Sequence, residues 1–117
     1  MNTGLLVHIQ APHKVWPKSV EPQGRYKDHG KIFFIGLGKD ELKEQKFDEA
    51  AQQKAIKAAD EWNTTEVVAK GDGSLEVRIN GMLVNTGKSA LTEGPIGFQS
   101  EGARFHIKDI QIKNLGK

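Results

Sequence analysis

The sequence predicts an all-β fold, an antiparallel β-sandwich or jelly roll with one short helical insertion. Three observations carry that expectation. Short segments of alternating apolar and polar residues recur between glycine-containing turns along most of the 117-residue chain. Asn80-Gly81, set between "SLEVRI" and "MLVNT", is the dipeptide that a two-residue type I′ hairpin turn asks for, because both of its positions need positive φ. Finally, "RFHIKDIQI" holds two in-phase apolar pairs that are out of phase with each other, as a β-bulge requires.

In chain order, "GLLVHIQ" sets Leu5, Val7 and Ile9 against Leu6, His8 and Gln10, which predicts a strand over residues 4–10. A loop follows, "APHKVWPKS", with Trp16 between its prolines. "VEPQGRY" reads as a strand presenting Glu21, Gln23 and Arg25 on one face, and Pro22 argues for an edge position or a bulge. "DHG" is a turn and "KIFFIGLG" an apolar strand. Residues 39–60 break the pattern, being rich in Ala, Glu, Gln and Lys. They predict one or two short surface helices, with Asp48 as a cap and Phe47, Ala51, Ala55 and Ile56 as a thin apolar stripe.

Strands then resume. "EWNTTEVVAKG" leads through a "GDG" turn into the Asn-Gly hairpin, in which Ile79 is expected opposite Met82, Val77 opposite Val84 and Leu75 opposite Thr86. "EGPIGFQSEG" turns Ile96 and Phe98 one way and Gly97 and Gln99 the other. In "ARFHIKDIQIKNL" a bulge at Lys108-Asp109 brings Phe105, Ile107, Ile110 and Ile112 to one side, leaving His106 solvated.

The length suits one domain, residues 1–117, able to bury its own core. The absence of cysteine removes disulfides, thiolate catalysis and Cys-ligated metals. A net charge of +2, with interspersed signs and no basic face bearing aromatics, argues against nucleic acid. No apolar run reaches membrane-spanning length, and "MNTGLLVHIQ" lacks the basic start of a signal peptide.

Templates for nucleophilic, zinc-protease and nucleotide chemistry are missing, and Gly36-Leu37-Gly38 lacks the third glycine of a dinucleotide fingerprint. His8, Glu21 and His29 are chemically suited to hold a divalent metal, although no HxH or HxxxH spacing supports it; solvated histidines on a polar sheet face are the commoner arrangement. Glu21, Gln23, Arg78, Asn85 and Gln99 are polar groups on strand faces opposite apolar ones, the inventory that reaches sugar hydroxyls. Trp16 is a candidate for stacking on a sugar ring, whereas Trp62 is expected in the core.

Taken together, "EWNTTEVVAKGDGSLEVRINGMLVN", "EGPIGFQSEG" and "RFHIKDIQIKNL" resemble the C-terminal half of the DUF1080 family, now usually called the 3-keto-disaccharide hydrolase domain. "NTGLLVHI" resembles the family's Asn-Ser-Gly strand, and "VEPQGRYKDHG" its Glu-x-Gln strand and the turn after it. "HKVWPKS" and "DHGKIFFIG" are similar to the planctomycete-type branch. The resemblance implies a concanavalin A-like sandwich whose concave sheet binds carbohydrate, in a bacterial family whose members are often exported.

It implies Glu21, Gln23 and Gln99 as site residues, with Gly97 and Gln99 on the concave face and Ile96 and Phe98 in the core. Lys108-Asp109 replaces the family's usual Arg-Asn, and lysine has no planar two-pronged donor set. The implied activity is hydrolysis of a 3-keto-glycoside or related glycoside; a non-catalytic carbohydrate-binding module is the alternative, and a structural or assembly domain a third. On the enzymatic reading Glu21 is the catalytic carboxylate and His29 a second acid/base or metal ligand, and a divalent metal is compatible with the chemistry. His8, Gln10, Trp16, Gln23, Arg78 and Gln99 are the expected substrate-binding residues.

The family's strands before Asn-Ser-Gly have no counterpart here. A sandwich lacking them should leave strand 4–10 unpaired, which predicts a homodimer or higher homo-oligomer joined through those residues, with His8 and Gln10 near the seam.

Overall fold

The computed structural model describes residues 2–101 and 106–115. The alternating segments become eight strands and one helix: β1 (Asn2–Leu6), β2 (Ser19–Pro22), β3 (Ile32–Ile35), β4 (Lys43–Phe47), α1 (Glu49–Ala55), β5 (Thr65–Ala69), β6 (Ser74–Ile79), β7 (Met82–Ser89) and β8 (Gly97–Glu101). All strand pairs are antiparallel. One layer runs β4-β7-β6-β5. The other consists of the β1-β8 and β2-β3 ladders, joined by bridges between Gly4 and Gln23 and between Val7 and Val20, so its order is β8-β1-β2-β3.

Pro22 interrupts the hydrogen bonding between the two ladders of that second layer. Even-numbered residues of β2 point their backbone groups at β1: Val20 N donates to Val7 O at 3.0 Å, and Gly24 N to Thr3 O at 2.9 Å. Pro22 falls between them and has no N–H to give. The strand is therefore interior, with an interrupted ladder, and not the edge or bulge expected from sequence.

The core lies between the layers. Val20 and Ile32 from the β8-β1-β2-β3 layer meet Leu75, Val77, Ile79 and Val84 from the β4-β7-β6-β5 layer, all at 1% exposure or less. The hairpin turn forms as the sequence predicts, with φ of 50° at Asn80 and 87° at Gly81, and Ile79 opposite Met82. Beyond Arg78 the register shifts, so Val77 faces Asn85 and Leu75 faces Gly87. The extra residue in β7 buries Val84 and Asn85 in succession, as a bulge does, and corrects the expected partners Val84 and Thr86.

The buried Asn85 amide belongs to a polar link between the layers. Its Nδ2 donates to Gly30 O at 2.9 Å and to Gln45 Oε1 at 3.0 Å. Gln45 also accepts from Ile32 N at 2.9 Å and donates to Ile32 O at 2.7 Å. Ile32 points these backbone groups away from β2, so the Gln45 amide takes the place of a neighbouring strand along that part of β3.

Residues 43–47 form a strand, where the Lys- and Glu-rich composition had suggested helix. Pairing with β7 overrides the local propensity. The helix starts where predicted, with Asp48 Oδ1 accepting from Ala51 N at 3.0 Å. It stops at Ala55, short of Asp60, because Ala55 O accepts from Asn80 Nδ2 at 2.7 Å, which ties the helix end to the hairpin turn.

The C-terminal expectations fare differently. Residues 106–115 form no strand and are exposed, His106 among them as expected. Asp109 has φ of 55°, a left-handed kink at the point where the apolar phase slips. Phe105 lies outside the described residues. Ile96 and Phe98 are 45% and 49% exposed and so do not fill the core. Trp62 is also exposed, with the Lys108 ammonium 4.3 Å from its ring centroid. β1 is not a free edge either: β8 covers one side and β2 the other. The expected interface over residues 4–10 loses its basis, since those backbone groups are already paired within the chain.

Candidate functional site

Antiparallel pairing sets side chains in rows across a sheet, about 5 Å from strand to strand. Leu6 faces Gly97 in β8, and Glu21 faces Phe33 in β3. Carried through the two bridges, the β1–β2 register places Leu6 beside Glu21, giving the row Gly97–Leu6–Glu21–Phe33. The neighbouring row is Gln99–Gly4–Gln23. Because Val20 and Ile32 point into the core, both rows lie on the outer face of this layer.

Gly4 is the pivot of that face. The Glu21 side chain, 2% exposed, fills the space that a side chain at Gly4 would take. A Cβ there would come within 2.9 Å of Glu21 Cγ and Cδ, and closer still to Oε2. The carboxylate thus lies over β1, beside the strand whose cross-strand partner residue is Gln99. Sequence reasoning did not single out Gly4, although the signal was present in "NTG", where a glycine opens an otherwise apolar strand.

An open cleft of about 370 Å³ adjoins the face at β8, lined by Leu6, Lys14, Trp16, Gly97, Phe98 and Gln99 among others. Trp16 reaches it because its loop is fixed at the base: Gln10 N donates to Lys18 O at 2.8 Å, and Ser19 Oγ to Pro17 O at 2.9 Å. The Gly38 N–H, together with Lys18 Nζ paired at 2.6 Å, holds the Glu41 carboxyl below its ordinary range.

The structure brings Glu21, Gln23, Gln99 and Trp16 to one end of one layer. It gives the other predicted residues different work. Gln23 shares the face, but its Oε1 accepts from Gly24 N and Arg25 N at 2.9 and 3.0 Å and holds the turn. Gln10 Nε2 donates to His8 O at 3.0 Å and Glu93 O at 2.7 Å, fastening the segment that enters β8. His8 is buried, with φ of 52°, and its Nδ1–H donates to Leu91 O at 3.1 Å. Burial lowers its pKa, partly offset by that carbonyl and by the charge of Glu93. The expected alternation puts His8 on a solvated face; the left-handed turn takes it out of the strand instead.

His29 Nε2 meets Thr65 Oγ1 at 2.7 Å, at the start of β5 in the opposite layer, and desolvation lowers its pKa. Arg78 alternates with buried Val77 and Ile79, so it points out of the opposite layer, where Glu76 and Glu66 hold it at 2.8 and 3.7 Å. It is therefore remote from the cleft. His8, Glu21 and His29 do not converge, and among the described residues no group of three or more His, Cys, Asp or Glu side chains is placed to hold a metal ion. No helix among the described residues is long and apolar enough to cross a membrane.

Comparison with protein families gives one match: the model of the 3-keto-alpha-glucoside-1,2-lyase-like domain covers residues 1–113. Comparison with curated proteins and with solved structures gave no match.

Proposed function

We propose that this chain, which belongs to the 3-keto-alpha-glucoside-1,2-lyase-like domain family, acts on a 3-keto-glycoside at the outer face of the β8-β1-β2-β3 layer. The domain family is carbohydrate-active; the substrate and the roles of the residues are our reading. The observation that supports it most is the Glu21 carboxylate lying over Gly4, next to Gln99, at the end of the layer where Trp16 walls the cleft.

The chemistry needs few parts. In a sugar oxidised at C3 the ketone acidifies the C2–H bond. Glu21 takes that proton, and the electron pair forms an enolate with the C3 oxygen, to which the Gln99 amide can donate. Collapse of the enolate forms the C1–C2 double bond and breaks the C1–O bond, and the departing oxygen picks up a proton. Water then adds its hydroxyl at C1 and a proton at C2, which completes hydrolysis. Trp16 offers an apolar plane to the C–H face of the ring.

The low exposure of Glu21 favours a second reading, a carbohydrate-binding module that uses Trp16 and Gln99 and no base. One experiment separates the two. The protein is incubated with 3-keto-glucosides, with and without divalent metal, and products are followed by mass spectrometry beside calorimetric titration with the same sugars. Release of the C1 substituent supports the enzyme, and heat of binding without release supports the module. Neither binding nor release, from folded protein, removes both.

A further inference from the structure

We propose, resting on the reading that this chain eliminates the C1 substituent of a 3-keto-glycoside, that the substituent departs into the Trp16 cleft and that Lys14 gives its oxygen the proton it needs.

The cleft and the carboxylate adjoin. Leu6 and Gly97 line the cleft and stand in the row that runs on to Glu21, with Leu6 in the strand next to it, about 5 Å away. Lys14 lines the same cleft from the loop over residues 11–18, two positions before Trp16. C1 and C2 are adjacent atoms of the sugar ring. A ring whose C2–H meets Glu21 and whose C–H face lies on Trp16 therefore turns its C1–O bond toward the loop that carries Lys14.

The loop is tied down beside this position. Gln10 N donates to Lys18 O at 2.8 Å, and Gln10 Nε2 donates to Glu93 O at 2.7 Å. Its two lysines stand differently. Lys18 is held by the Glu41 carboxylate at 2.6 Å, whereas Lys14 is exposed and has no ion pair among the described residues. Of the described side chains that line the cleft, only that of Lys14 is ionisable. Its ammonium carries three N–H donors on a flexible four-carbon stem, so it can follow an oxygen as that oxygen leaves.

The protons balance. Glu21 takes the C2 proton, and the electron pair released from C2 forms the C1–C2 double bond by way of the enolate. The C1–O bond breaks with its pair on oxygen, and a Lys14 Nζ–H passes to that oxygen, so the substituent departs as a neutral alcohol. The Lys14 amine recovers a proton from the water whose hydroxyl adds at C1, and Glu21 returns its proton to C2. Base and acid then sit on separate elements, β2 and the loop, and both are restored.

The test uses the full chain and the methyl, phenyl and para-nitrophenyl 3-keto-glucosides, whose leaving oxygens grow steadily more acidic. A phenol, with a pKa of about 10 like that of tyrosine, departs as its anion far more readily than an alkoxide does. Lys14→Met is expected to lower kcat by about 10²-fold on the methyl glycoside, less on the phenyl and least on the nitrophenyl, with KM little changed. Lys14→Arg should lose turnover in the same graded way, because a guanidinium keeps the charge but does not give up its proton. Turnover by the parent chain that Lys14→Met leaves intact, or lowers equally on all three sugars, overturns the inference and leaves the reading standing. Full turnover of the methyl glycoside by Lys14→Arg also overturns it, since charge alone would then suffice. No release from any of the three by the folded parent chain removes the reading and the inference together.

Discussion

The two flanks of the sandwich are finished in opposite ways. On the β3 side, the Gln45 amide bonds both backbone groups of Ile32, and Asn85 locks Gln45 in place, so the open part of the strand is satisfied from within the chain. On the β8 side, no such amide is found among the described residues, and Ile96 and Phe98 stay in solvent. The comparison teaches that one polar side chain can substitute for a neighbouring strand when a buried amide, here that of Asn85, anchors it. The flank left unfinished is also the one where Trp16, Gln99 and the cleft meet.

Breaking the closed flank should have the largest effect on stability. Gln45→Ala strips the partners from Ile32 N and O and an acceptor from Asn85, at roughly 1 kcal/mol each, so a loss of about 3 kcal/mol is expected in urea unfolding. A loss under about 1 kcal/mol would mean that water replaces the amide and that the two flanks differ little.

Gly4→Ala probes the site beside the open flank. The added methyl collides with the Glu21 side chain, so overpacking of about 1–3 kcal/mol is expected, with displacement of the carboxylate. Chemical shifts of the Glu21 carboxyl and the Gln99 amide should both move. An unchanged Gln99 signal would separate the two residues.

Acid probes both flanks through histidine. His8 fastens the entry to β8 and His29 meets β5, and burial lowers both pKa values. The unfolded chain therefore binds protons that the folded chain refuses. The contribution is full above the unfolded pKa of about 6.5 and is lost as pH falls below it. Melting temperature should fall as pH drops below about 6.5. His29→Gln and His8→Gln should each flatten the fall, because burial lowers both pKa values. A profile unchanged from the parent chain in both variants would contradict the assignment.

The smallest effect is expected in the exposed C-terminal segment. Ile112 is 77% exposed, and Ile112→Ser should change the stability of a single chain by less than about 0.5 kcal/mol.

Much of the fold is legible in the sequence because hairpin turns and alternation are local. Asn80-Gly81 sets the hairpin, and Asp48 sets the helix start. Strand β4 was hidden because its composition favours helix and only its partner β7 makes it a strand. The bulge at Val84 was equally invisible, since an in-phase register fits the same apolar residues. At the site, alternation correctly put Glu21 and Gln99 on outward faces but could not say that those faces coincide. That depends on the bridges between β1 and β2, which join residues far apart in the chain. Arg78 alternates just as cleanly and lands on the other layer. Burial of His8 depends on one left-handed residue that no periodicity announces.

The claim that the carboxylate over Gly4 does the chemistry is tested most directly by comparing Glu21→Gln with Arg78→Ala on a 3-keto-glucoside. The two change one charge each on opposite layers, and Gln keeps the size of Glu. Removal of the base is predicted to lower kcat by 10²-fold or more with KM little changed, while Arg78→Ala leaves both within about twofold. Turnover retained by Glu21→Gln, or lost equally in both variants with folding intact, would contradict the account.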